Sequence, residues 1–131
     1  MSADKTASVH WTGAGKDGKG EISTETGALN KAPYGFASRF GDDRKATNPE
    51  EILAAAHAAC FAMAFSFACA AEGIQTETVD TSAKVRLAKE GDGFKIDRIA
   101  LTLNAKVPGL SQEQFDKIAA GAKAGCPLSK A

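Results

Sequence analysis

The period of the hydrophobic pattern changes repeatedly along the chain, and each change marks an element. Ser8-Val9-His10-Trp11-Thr12 reads as a strand, the glycine-rich run from Gly13 to Gly20 as a turn, and Glu21 to Thr24 as the returning strand. The segment from Gly35 to Phe40 alternates weakly and is expected to add a third strand, completing an N-terminal antiparallel ribbon. Thr47-Asn48-Pro49-Glu50-Glu51 is a helix start. Either Thr47 or Asn48 serves as the cap, Pro49 fits the first turn, and two carboxylates meet the positive end of the helix dipole. The helix is predicted to run through Ala71 and to stop at Gly73. Ile52, Leu53, Phe61, Met63, Phe65 and Phe67 point nearly all round it, and a helix like that is buried on most faces. In a small domain this implies a central helix wrapped by its own sheet and by a partner subunit.

Val79, Thr81, Ala83, Val85 and Leu87 alternate with polar residues as a half-buried strand does, and Glu90-Gly91-Asp92-Gly93 is a hairpin turn. The returning strand sets Phe94 and Ile96 inward, then switches to Ile99, Leu101, Leu103 and Ala105. A one-residue phase slip near Asp97-Arg98 predicts a β-bulge. Pro108-Gly109 ends the strand. Ser111 caps a further helix with an apolar stripe of Phe115, Ile118 and Ala122, Gly125 stops it, and Cys126-Pro127 begins a new turn of helix. The class is α+β, with antiparallel sheet around a long central helix.

Composition narrows the function. A chain of 131 residues suits a single domain spanning 1–131. Lys plus Arg equals Asp plus Glu at 16 each, so no basic field exists to hold a nucleic-acid backbone. The run from Ile52 to Ala71 is about long enough to cross a bilayer, but it is mostly alanine and carries His57, Cys60, Ser66 and Cys69. A core helix is therefore expected rather than a membrane span. The N-terminus lacks the apolar stretch of an export signal, which points to the cytoplasm and to reduced thiols. With three cysteines, a disulfide in that compartment is expected to be transient and part of a reaction cycle.

Cys60 shares a helical stripe with Ala56, Met63 and Phe67 and is expected to face the core, where a free cysteine is often mere packing. A reactive cysteine works as the thiolate, and burial raises a thiol pKa, so for reactivity a cation must stand nearby: Arg39, Arg44, Lys45 and His57 are the candidates. Cys126, just before Pro127, sits where a helix N-terminus favours a thiolate or a good leaving thiol. Cys69 lies about half a turn away from the Cys60 face and reads as packing. His57 and Cys60 lie on one face as helical metal ligands can, but two ligands do not make a zinc site.

These residues resemble the OsmC/Ohr family of osmotically inducible and organic-hydroperoxide-resistance proteins, and its OsmC branch in particular. The resemblance covers essentially the whole chain. It is carried by Gly18-Lys19-Gly20, Ser23 to Gly27, Pro33-Tyr34-Gly35-Phe36, Ser38-Arg39-Phe40, the long run Thr47 to Phe61, and Lys123 to Ser129 with its Ala-Gly-Cys-Pro. It implies an intertwined homodimer of OsmC-like fold with two active sites at the subunit interface. It further implies that Cys60 is the peroxidatic cysteine, Cys126 the resolving one, Arg39 the holder of the thiolate, and Glu50 the carboxylate that positions Arg39. Organic hydroperoxides are the implied substrates, with hydrogen peroxide a poorer one. A dithiol, often on a lipoyl-bearing protein, is the implied reductant, and no metal or prosthetic group is needed.

Tyr34, Phe36, Leu53, Phe61 and Met63 are expected to line the substrate pocket. Glu50 and Cys60 are ten residues apart on one predicted helix, about 15 Å along its axis. An arginine bound to Glu50 is therefore expected to serve the partner's thiolate. The family continues past the second cysteine with a final strand, whereas this sequence ends at Ala131. Either that strand lies beyond it, or a sheet edge stands open and Cys126 moves more freely. The rival readings are a ligand-binding dimer and a redox-sensing dimer on the same fold, both without turnover.

Overall fold

The computed structural model describes residues 2–131. The chain forms two compact units, one reaching Ile52 and one running from Leu53 to Ala131.

In the first unit, β1 (Ala7–Thr12), β2 (Lys19–Thr24) and β3 (Ala32–Tyr34) form an antiparallel sheet in that order. Trp11 pairs with Gly20, and Gly20 with Tyr34. The three positions share one face, and the two rings meet over the glycine with centroids 5.6 Å apart. A Cβ on Gly20 would strike the Tyr34 ring, so this strand position demands glycine.

The third strand is Ala32–Tyr34, not the expected segment from Gly35 to Phe40, which is the short helix α1 (Phe36–Phe40). Local hydrogen bonds override the weak alternation. The Gly35 N–H donates to the Ser38 hydroxyl at 3.0 Å, and that hydroxyl donates to the Gly35 carbonyl at 3.1 Å. Phe36 and Phe40 then stack one turn apart, with centroids 5.2 Å apart.

Asn48 caps α2 (Pro49–Ala71), its side-chain oxygen accepting from the Glu51 N–H at 2.8 Å. The helix closes at Gly73 (φ +74°), where the Ile74 N–H reaches back to the Cys69 carbonyl at 2.9 Å. Long and apolar enough to cross a bilayer, α2 instead packs one stripe into the core of the second unit: His57, Phe61, Phe65 and Cys69. The stripe of Ala56, Cys60, Met63 and Phe67, expected inside, is the open one in this chain, with Met63 61% and Phe67 68% exposed. A helix that is apolar all round has no polar stripe to fix its wet face, so its neighbours choose.

Those neighbours are the hairpin β4 (Thr78–Glu90) and β5 (Gly93–Lys106) and the helix α3 (Gln112–Gly125). Ile118 and Ala122 of α3 complete the core, Phe115 stacks on Phe65 at 5.5 Å, and the Thr81 hydroxyl donates to the Ala58 carbonyl of α2 at 2.8 Å. The predicted bulge is present: Arg86 pairs with Arg98 and Leu87 with Ile96, which leaves Asp97 as the extra residue. Asp97 accepts two hydrogen bonds from Arg86, at 2.7 and 3.1 Å. Ser111 caps α3 as expected, accepting from the Gln114 N–H at 3.2 Å.

Candidate active site

Gly125 ends α3, Cys126 is extended (φ −70°, ψ 118°), and Pro127 opens the one-turn helix α4 (Pro127–Lys130). This corner drives Cys126 inward until it is fully buried. Its Sγ stops 3.0 Å from the Sγ of Cys60. Both are free thiols, about 1 Å further apart than a disulfide. Cys60 is only partly covered. It opens onto an apolar groove of about 550 Å³ lined by Met63, Ala64 and Phe67 of α2 and by Gly121, Gly125 and Pro127.

The pair shares its protons unequally. Contact with Cys126 pushes the Cys60 thiol above its ordinary pKa, with burial adding to the push and the Leu128 N–H opposing it. Burial also works to raise Cys126, but hydrogen bonds from the Cys60 thiol, the Ser129 hydroxyl and the N–H groups of Ser129 and Leu128 outweigh it and bring that thiol down. Cys69 is buried in the core, and burial raises its pKa.

In the first unit Arg39 grips Glu50 through two hydrogen bonds, 2.9 and 2.8 Å. This fork-to-fork geometry fixes the guanidinium. Tyr34 lies in β3 against Trp11, and Phe36 stacks on Phe40 with the Lys16 ammonium over its ring. Leu53 is half-buried in α2. Of the expected pocket residues, Met63 lines the groove at Cys60, whereas Phe61 turns into the core at 5% exposure. His57 is buried and bonds through Nε2 to the Ser129 hydroxyl at 2.8 Å. Sequence reasoning considered His57 only as a cation or a metal ligand and gave Ser129 no role. Their spacing from the two cysteines was the available signal. Among the described residues no group of three His, Cys, Asp or Glu side chains gathers as metal ligands.

The family model for OsmC-like protein matches residues 41–131. The chain is 48% identical over 130 residues to peroxiredoxin OsmC of Escherichia coli K12, covering 99% of this chain and 90% of that one. It is 35% identical over 127 residues to the organic hydroperoxide resistance protein OhrA of Bacillus subtilis, covering 96% and 86%. Among solved structures, the organic hydroperoxide resistance protein OsmC of Legionella pneumophila superposes with a TM-score of 0.75 at 31% identity, over 98% of this chain and 88% of the other. The two antiparallel sheets and the long helix are thus those of a known group, and the chain belongs to the OsmC-like family.

Proposed function

We propose that this protein is a thiol peroxidase that reduces organic hydroperoxides, with Cys60 attacking and Cys126 resolving. The observation that carries this reading is the pair itself: two free thiols 3.0 Å apart, one sealed in the core and the other opening onto an apolar groove. Of the pair, only Cys60 is accessible to a peroxide. The Cys60 thiolate attacks the distal oxygen of ROOH. An S–O bond forms, the O–O bond breaks, and RO⁻ leaves to take up a proton as the alcohol. Cys126 then displaces the hydroxyl from the sulfenic acid, giving the disulfide and water. A dithiol attacks the disulfide, passes through a mixed disulfide, and leaves oxidised as both cysteines regain their protons. The groove's apolar walls favour an organic peroxide over hydrogen peroxide. A lipoyl-bearing protein suits the reductant, and the chemistry suits the reducing cytoplasm.

The same reading makes the two units one domain of an intertwined homodimer. Arg39 is held by Glu50 in the first turn of α2, about 15 Å along the helix from Cys60. Packing two such helices antiparallel brings Glu50 of one chain toward Cys60 of the other. Arg39 then supplies the cation that Cys60 lacks, and the exposed Met63 and Phe67 lie along the face to be covered.

The test is consumption of cumene hydroperoxide with dihydrolipoamide as reductant. Wild type turns over. Cys60→Ser loses activity by at least about a thousandfold. Cys126→Ser still consumes one equivalent of peroxide and leaves a sulfenic acid that dimedone traps at Cys60. Turnover that survives Cys60→Ser would sink the assignment.

A further inference from the structure

The contact between the two thiols has a twin one turn away. His57 and Cys60 are three apart on one face of α2. Cys126, the extended residue that precedes α4, stands three before Ser129 in that turn. Across the gap His57 meets Ser129 at 2.8 Å and Cys60 meets Cys126 at 3.0 Å. These are two rungs between the same two helical turns. The first rung is enforced from the histidine side: His57 is only 6% exposed, and a buried polar group without a partner is costly. The turn it holds has little rigidity of its own. The helix α4 has four residues, its backbone closed by Lys130 donating to the Cys126 carbonyl and Ala131 to the Pro127 carbonyl, each at 3.1 Å. A single turn is not stable alone.

We propose that His57 and Ser129 are positioning residues for the resolving step, pinning the α4 turn against α2 so that Cys126 stays in reach of Cys60 once Cys60 is a sulfenic acid. This deepens the peroxidase reading and rests on it. In that step the S–O bond of Cys60 breaks, the S–S bond forms, and the hydroxyl leaves with the Cys126 proton as water. A sulfenic acid that waits for its partner is open to a second peroxide and to sulfinic acid. A loosened pin therefore trades disulfide for over-oxidation.

The experiment follows one oxidation of the full-length protein by cumene hydroperoxide, reading sulfenic acid by dimedone trapping and disulfide by intact mass. In Ser129→Ala and His57→Ala, closure is expected to slow about tenfold to a hundredfold relative to sulfenic acid formation. Sulfinic acid at Cys60 then accumulates under repeated peroxide. Ser129→Thr, which keeps the hydroxyl, and His57→Gln, which keeps a donor near Nε2, should restore closure. Closure in Ser129→Ala within about twofold of wild type overturns the proposal. So does Ser129→Thr that is as slow as Ser129→Ala, because the loss would then be steric. If His57→Ala fails to fold, the half-buried Ser129 still decides the matter. The wild-type arm separates the two ideas: no disulfide there overturns the peroxidase reading and this inference with it, whereas a wild-type disulfide with unaffected variants removes this inference alone.

Discussion

Cys60 and Cys126 titrate as one unit, because two sulfurs 3.0 Å apart cannot lose their protons independently. Interactions inside the chain bring Cys126 below the ordinary cysteine pKa and push Cys60 above it. In Arg39→Ala, where only these interactions remain, thiolate absorbance should rise in two steps as pH increases, one below and one above the ordinary range. Cys126→Ala in that background leaves a single intermediate step. If a partner's Arg39 serves the thiols as proposed, its guanidinium favours thiolate and moves both steps to lower pH. Identical titrations with and without Arg39 would show that it does not serve the thiols. At this scale the sequence was half legible. The two cysteines stand out as a thiol pair, and Asn48 was one of two caps in plain view; chemistry left Arg39 beside Arg44, Lys45 and His57 as a candidate cation, and only the family resemblance singled out Arg39 and Glu50. Ser129 was not legible as a partner of His57, because 72 residues separate them and only the turn at Cys126-Pro127 brings them together.

Along α2 the same residue type has opposite consequences two positions apart. Phe65 is fully buried against Phe115, whereas Phe67 is 68% exposed. Phe65→Ala should lower unfolding free energy by about 3–5 kcal/mol, because a core cavity adds to the lost transfer energy. Phe67→Ala should change the stability of the single chain little. Chemical denaturation of both variants, followed to low protein concentration, separates the two effects. Equal losses at every concentration would mean that Phe67 is packed within its own chain. Sequence could not assign these faces, since α2 has no polar stripe to mark solvent. Where polarity alternates, the phase slip in β5 located the bulge at Asp97 from side-chain pattern alone, but Phe94, Ile96 and Ile99, expected inward, are exposed in the single chain. The miss at α1 has the opposite cause. Its five residues are too few to establish a period, and the Ser38 hydroxyl at Gly35 settles the matter locally.

Assembly is where a helix with an open apolar stripe and an arginine held in its first turn have to be reconciled with the proposed attack at Cys60. If each active site takes Cys60 from one chain and Arg39 from the other, two inactive variants complement each other. An Arg39→Ala chain supplies Cys60, and a Cys60→Ser chain supplies Arg39. The mixed dimer then contains one intact site and one that lacks both residues. Random pairing makes about half the dimers mixed, so about a quarter of wild-type peroxidase activity should return after the two are unfolded and refolded together. If Arg39 serves its own chain's thiol, every site in the mixture lacks one residue or the other, and activity stays at the level of the separate variants. Phe67→Asp in both chains supplies the control. A charge on the face to be covered costs desolvation without a partner, so it should shift the sedimenting species toward monomer and abolish the rescue. A Phe67→Asp pair that stays dimeric and keeps the rescue would locate the shared interface on some other face.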